Sequence, residues 1–262
     1  MAPDALHAGQ LIRRQHIAPR LNTAMFLFVS DLHLSASRPE VTGLFLRLLR
    51  EYAPGCEGLY ILGDLFEAWL GDDLVLPEYA PVVAALKTLT SAGTPVYVQH
   101  GNRDFLLGED FAAASGCELL PEAYVMELHG ERTLLLHGDT LCTDDHEYQA
   151  MRAQLRRPDF IAAFLAKPSA ERIAFARSLR ERSQAETSRK SEYIMDVNAD
   201  AVVSAARHHQ AVRIIHGHTH RAGVHTHDVD GRTLERIVLG DWNEKGSIAV
   251  CDAAGCHLKS FP

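Results

Sequence analysis

From Met25 onward the chain switches repeatedly between short apolar runs and stretches with helical spacing. Phe26–Ser30 is a compact run of strand formers. In Glu40–Ala53, residues Val41, Leu44, Phe45, Leu48 and Leu49 fall on one face of a helix. Leu59–Leu62 reads as strand, Tyr79–Ser91 as helix and Val96–Val98 as strand. This β-α-β-α-β alternation predicts parallel strands joined by crossover helices. Past Pro121 the strands come faster: Tyr124–Leu128 and Thr133–Leu136 flank His129-Gly130. After residue 210, Arg213–Ile215, Val224–Val229, Leu234–Leu239, Ser247–Cys251 and His257–Ser260 read as strands, with hairpin turns at Asp230-Gly231 and Ala254-Gly255. Between the two strand-rich blocks, Glu147–Arg207 has little strand signal and much helical period. The predicted organisation is one α/β domain over residues 25–146 and 208–262, interrupted by a helical insertion over 147–207. Residues 1–24 read as an extension. Their Arg13-Arg14 pair is not followed by the apolar run that an export signal requires.

Composition narrows the function classes. The 262 residues carry a formal charge of −8, which argues against a general nucleic-acid binder. No uninterrupted apolar run exceeds six residues, so no membrane-spanning helix is expected. The five cysteines are odd in number and form no CxxC pair. Neither a disulfide framework nor a Cys-based zinc site is expected, and a reducing compartment fits. Charge is uneven along the chain: Arg152–Lys190 holds ten basic and four acidic residues. Such a segment faces something anionic, or is simply a solvated amphipathic hairpin. Histidine is abundant, at 15 residues, so its placement matters.

The apolar strands end in polar residues, often beside glycine. The series is Ser30-Asp31-Leu32-His33, Gly63-Asp64-Leu65, Gly101-Asn102-Arg103-Asp104, His137-Gly138-Asp139 and His216-Gly217-His218-Thr219-His220. Sites in open α/β sheets form beyond the carboxyl ends of strands. In an extended segment, alternate residues point the same way, so His218 and His220 are expected to share a site and His216 to face elsewhere. Each motif alone is weak, and a lone histidine is usually structural. Together, Asp31, His33, Asp64, Asn102, His137, His218 and His220 form an oxygen-and-imidazole set without thiolate, suited to Mn²⁺, Fe²⁺, Zn²⁺ or Co²⁺. Seven groups exceed one ordinary centre and suit two ions if one carboxylate bridges them.

In this ordered series the sequence resembles the calcineurin-like metallophosphoesterase family. The resemblance implies a four-layer α/β sandwich of two mixed sheets flanked by helices. It also implies a dinuclear centre bridged by Asp64. One ion would take Asp31, His33 and His220, and the other Asn102, His137 and His218. The third motif departs from the family, having Arg103 where most members have His. Arginine stays charged near neutral pH and cannot serve as a general acid, but it clamps phosphate oxygens in a bidentate manner. That favours a good leaving group, such as one phosphate of a pyrophosphate.

The GNRD motif, with Ser30–Leu34, Gly63–Trp69 and Leu136–Asp145, is similar to the branch of the family that acts on UDP-2,3-diacylglucosamine in bacterial lipid A biosynthesis. That likeness implies two divalent ions, usually Mn²⁺, activating water for attack on the α-phosphorus to give UMP and 2,3-diacylglucosamine 1-phosphate. Asp64, Asn102, Arg103 and His137 would serve the reaction, and Asn102, Arg103, Asp145, Ser183, Thr187, Lys190 and His218 would touch substrate. Thr187 stands where the branch commonly has Asn, keeping a hydroxyl and losing the amide. Ser183, Thr187 and Lys190 are four and three residues apart and so share a helix face. Phe160, Ile161, Phe164, Leu165, Ile173 and Phe175 would line an acyl chamber or simply pack the helical hairpin. Asp104 is expected to orient its neighbours rather than bind metal. The likeness also implies peripheral attachment to the anionic cytoplasmic face of a bacterial inner membrane. The rival readings are a hydrolase of a soluble nucleotide pyrophosphate or phosphodiester, and a metal-free binding module that keeps the fold.

Overall fold

The computed structural model describes residues 25–187 and 196–261, without the side chains of residues 182–187. Strand β1 (Phe26–Val29), helix α1 (Pro39–Glu51), β2 (Gly58–Leu62), α2 (Ala80–Ser91), β3 (Val96–Gln99), α3 (Glu109–Ser115) and β4 (Glu118–Leu119) make the first half. Next come β5 (Ala123–Leu128), β6 (Glu131–Leu136), α4 (His146–Leu155), α5 (Pro158–Leu165), α6 (Ser169–Thr187) and α7 (Ala199–His209). The chain closes with β7 (Arg213–His216), β8 (Gly223–Val229), β9 (Arg232–Val238), β10 (Gly246–Asp252) and β11 (Gly255–Phe261).

The strands form two mixed sheets, ordered β11-β10-β1-β2-β3-β4 and β5-β6-β7-β9-β8. Strands β1 to β3 run parallel, as the alternation predicts, the unpredicted short β4 extends them in parallel, and β6, β7 and β9 are parallel in the second sheet. The period of two along each strand then separates the layers. In β2, Leu59 and Ile61 pack with Val41, Phe45, Leu48, Val82, Leu86 and Phe111 of α1–α3. Tyr60 and Leu62 point the other way, onto Leu135, Ile215 and Ile237 of the second sheet. That sheet's outer face, with Leu134, Ile214 and Leu234, is covered by Val202 and Ala206 of α7. The result is four layers, helix-sheet-sheet-helix. Because α7 belongs to the outermost layer, α4–α6 are the helices of the 147–207 stretch left to stand over the strand ends.

Two turns match their expected chemistry. His129-Gly130 and Asp230-Gly231 both have positive φ at each residue, the backbone that suits a two-residue hairpin. The last hairpin turns one residue earlier than expected, at Ala253-Ala254, with Gly255 opening β11 opposite Asp252. Its register sets Cys251 directly across from Cys256, and the two are joined as a disulfide, against the expectation of none. The pairing is local to one hairpin, so an odd total and missing CxxC motifs gave no sign of it. Cys56, Cys117 and Cys142 are buried and take no part in a disulfide.

Candidate metal centre and adjoining cavity

The loops after β1, β2, β3, β6 and β7 converge beyond one edge of the two sheets, and all seven candidate ligands meet there. Asp31 Oδ1 lies 3.4 Å from His220 Nε2, which is 3.4 Å from His33 Nε2. Asn102 Oδ1 stands 3.0 Å from both His137 Nε2 and His218 Nδ1. Between these two groups, Asp64 Oδ2 is 3.8 Å from His33 Nε2 and 3.8 Å from His137 Nε2. His216 does face elsewhere, between the Gly217 carbonyl and the Arg236 guanidinium.

Backbone conformation is what aims these side chains. Asp31, His33, Asp64, His218 and His220 all adopt left-handed φ values, from 47° to 68°. Non-glycine residues avoid this region at about 1–3 kcal/mol each, and such residues cluster at functional sites. The neighbouring glycines make room. A Cβ at Gly101 would fall 2.0 Å from Asp64 Oδ1, and one at Gly217 would fall 2.3 Å from Asp31 Oδ2. Asp104 pins the arrangement as expected: its Oδ1 accepts from Gly101 N and Asp64 N, and its Oδ2 from Leu65 N and Phe66 N.

The electrostatics are those of a buried cation cradle. Burial pushes His33 down to about 3 and, helped by the His137 charge, His218 down to about 4. Burial also opposes charge on His137, yet Asp64, Asp31 and Asp139 carry it up to about 9. Desolvation raises the Asp64 carboxyl. It acts on Asp31 too, but the neighbouring His220 imidazole and the charges of His137 and His33 hold that carboxyl well below the usual range. Asp31 Oδ1 is buried and has no hydrogen-bond partner. Two carboxylates, one amide oxygen and four imidazoles, with an unpartnered carboxylate oxygen aimed inward, fit divalent metal ions of borderline hardness.

Beside this cradle opens a cavity of about 320 Å³. Asn102 and Arg103 line its inner end. Trp69 and Tyr79 of the core and Phe160, Phe164, Ile173 and Phe175 of α5 and α6 line the rest. Several contacts hold α4–α6 over the core. Asp139 accepts from Tyr148 Oη at 2.8 Å and from Arg152 Nε at 2.7 Å. Arg172 donates through Nη1 to Leu70 O at 2.8 Å and pairs through two nitrogens with Asp73. Gly71, at φ 114°, lets this approach occur, because a Cβ there would meet Arg172 Nη1 at 2.7 Å.

Asp145 caps α4, accepting from Tyr148 N at 3.1 Å. Ser183 and Thr187 lie on α6, but their side chains, and all of Lys190, fall outside the described residues. Sequence reasoning missed Glu67, Tyr148 and Arg180. All three line the cavity, and although Glu67 falls within the Gly63–Trp69 stretch, nothing in the local sequence gives any of them a role.

A two-sheet α/β sandwich with a His/Asp/Asn cradle at its strand ends defines a metal-dependent phosphoester hydrolase. Residues 24–222 match the calcineurin-like phosphoesterase family, and the chain belongs to it. It is 52% identical over 242 residues to the UDP-2,3-diacylglucosamine hydrolase of Stenotrophomonas maltophilia, covering 90% of this chain and 98% of that protein. It is 51% identical over 218 residues to the protein of the same name from Marinobacter nauticus, covering 83% and 89%. Among solved structures, a novel archaeal phosphodiesterase aligns over 90% of this chain and 99% of its own, with a TM-score of 0.45 and 12% identity.

Proposed function

We propose that this chain hydrolyses the pyrophosphate of UDP-2,3-diacylglucosamine, releasing UMP and 2,3-diacylglucosamine 1-phosphate. The observation that carries the reading is the continuity between cradle and cavity. Asn102 and Arg103 belong to the phosphate end, and the same cavity runs on into an aromatic and aliphatic chamber under α5 and α6. A soluble nucleotide has no use for such a chamber. An acyl chain gains about 0.8 kcal/mol per buried methylene there.

Asp31, His33 and His220 would hold one divalent ion and Asn102, His137 and His218 the other, with Asp64 between them. Mn²⁺ is the pair that the family likeness implies, and the O/N donor set suits it. When bound, such ions acidify a water and stabilise phosphoryl charge. Arg103 clamps phosphoryl oxygens of the substrate. Water oxygen joins the α-phosphorus, and the bond from that phosphorus to the bridging oxygen breaks. The sugar-lipid phosphate leaves with the bonding electrons. Asp145, Ser183, Thr187, Lys190 and His218 are assigned to the sugar-lipid head by the family likeness.

No helix among the described residues is long and apolar enough to cross a membrane. We infer that the chain reaches its membrane-embedded substrate from the bilayer surface. Val75, Leu165 and Ile173 are exposed large apolar residues, at 43%, 38% and 36%, on α5, α6 and the facing core loop. With the basic balance of Arg152–Lys190, they support peripheral attachment to an anionic bilayer, the cytoplasmic face of the inner membrane.

The decisive experiment is mass spectrometry of the products from UDP-diacylglucosamine and Mn²⁺ in ¹⁸O-water. Label in UMP is expected, and label in the sugar-lipid phosphate would refute attack at the α-phosphorus. Full activity after rigorous chelation, or in Asp64→Ala, would refute the metal reading. Lys190→Ala should lower lipid hydrolysis roughly 10- to 150-fold, the worth of a charged hydrogen bond of about 1.5–3 kcal/mol. It should spare a small chromogenic phosphodiester.

A further inference from the structure

Glu67 is set three residues beyond Asp64, and backbone bonds fix where it starts. His33 N donates to Asp64 O, Leu34 N to Leu65 O and Glu67 N to Leu34 O, so the two loops run side by side like short strands. The carboxylate that leaves this ladder is largely shielded from solvent and is surrounded by three nitrogen bases. Arg180 Nε of α6 is 3.1 Å from Oε1. Arg103 Nη1 is 3.7 Å from the same oxygen. His33 Nδ1 is 3.8 Å from Oε2, on the side of the ring opposite the nitrogen that faces Asp64 and His220.

Those three partners come from three parts of the molecule: the metal cradle, the phosphate clamp and the overlying helix. A carboxylate here repels a pyrophosphate and so weakens simple charge attraction. Its benefit must lie in geometry. It offsets the mutual repulsion of two guanidiniums that line one cavity wall, and it holds them at a fixed separation. Its second oxygen lies 3.8 Å from His33 Nδ1, a buried nitrogen with no hydrogen-bond partner, on the side where a carboxylate steadies ring orientation and ligand basicity when the other nitrogen binds metal.

We propose that Glu67 is a positioning residue that couples α6 to the metal side of the site by holding Arg180, Arg103 and His33 on one carboxylate. The proposal rests on the metal-and-phosphate reading of the cradle and not on the lipid. Its consequence is that one carboxylate serves both the covering helix, through Arg180, and the cradle, through His33. Arg180 contributes to substrate binding only while Glu67 keeps it aligned with Arg103.

The test uses the full chain with Glu67→Gln, Arg180→Ala and the double variant. In the chelator-stripped protein, Mn²⁺ titration followed by the paramagnetic resonance of free Mn²⁺ should show roughly 10- to 100-fold weaker binding for Glu67→Gln. The titration should be unchanged for Arg180→Ala. At saturating Mn²⁺, Arg180→Ala should raise KM for UDP-diacylglucosamine in the parent chain and add little in the Glu67→Gln background. Superimposable Mn²⁺ titrations of parent and Glu67→Gln would overturn the proposal, as would an Arg180→Ala effect on KM undiminished by Glu67→Gln. If the chain does not turn over the lipid at all, the metal titration still decides. Should Glu67→Gln fail to fold, Glu67→Asp withdraws the carboxylate by one methylene and faces the same readouts.

Discussion

Replacing Asp104 by Asn should damage both the fold and the cradle, although the two side chains have the same shape. Asp104 is completely buried, and its two oxygens accept from four backbone N–H groups. The two shortest bonds, Gly101 N at 2.9 Å and Leu65 N at 2.8 Å, end on different oxygens. An amide offers one oxygen, so neither orientation of Asn satisfies both. Whichever pair loses its acceptor meets an NH₂ group instead. Each stranded buried donor costs about 1–3 kcal/mol, and two are stranded, so the expected loss is about 2–6 kcal/mol. For a domain of this size that is roughly 4–24 °C in Tm. Urea unfolding of the metal-free protein would measure the loss. Mn²⁺ titration would show whether Asp64 and Asn102, which flank those N–H groups, loosen with it. A loss below about 1 kcal/mol would refute the reasoning, because the four contacts would then not be holding the loops.

Asp73→Ala should destabilise more than Arg172→Met. The first leaves a guanidinium that is 3% exposed with only the Leu70 carbonyl to accept from it, whereas Asp73, 63% exposed, returns to water when its partner is lost; equal denaturation midpoints would contradict this. Metal-free protein should lose stability as pH rises from about 6.5 to 9, because folded His137, carried up to about 9, keeps a proton there that the unfolded chain releases. By the same sign, Mn²⁺ binding should release protons and tighten with pH over that window, which calorimetry in two buffers would detect; a midpoint that rises from pH 6.5 to 9 would count against it. Burial pushes Cys56 and Cys117 up to about 11 and Cys142 up to about 12, so native protein should not react with a thiol reagent at pH 8. Unfolding should then expose three thiols without reductant; rapid native labelling would show that the buried sites open.

The strand ends were legible because a parallel α/β sheet makes one edge the natural site and places ligands directly after apolar runs. Asp31, Asp64, Asn102, His137 and His218 could be read that way. His218 and His220 do meet at one site, but left-handed backbone turns them inward, not the alternation of an extended strand. Helix α3 was missed because it is short and its N-terminus is held by Asp72, a carboxylate 36 residues earlier that accepts from Gly108 N. Glu67 was missed for the same kind of reason. Its neighbours Leu65, Phe66 and Ala68 suggest ordinary loop packing, while Arg103 and Arg180 reach it only through the fold.

The five left-handed positions set the protein's catalytic and structural interests against each other. Each is a place where glycine would relax the backbone and remove a side chain the chemistry needs. Random substitution and selection for heat resistance alone should therefore drift toward losing Asp31, His33 or His220, with the molecule growing sturdier as it grows inert. Directed evolution for thermostability would reveal this unless activity is screened in every round. A relative that kept the sandwich but abandoned the reaction would be expected to carry glycine or asparagine at these positions first.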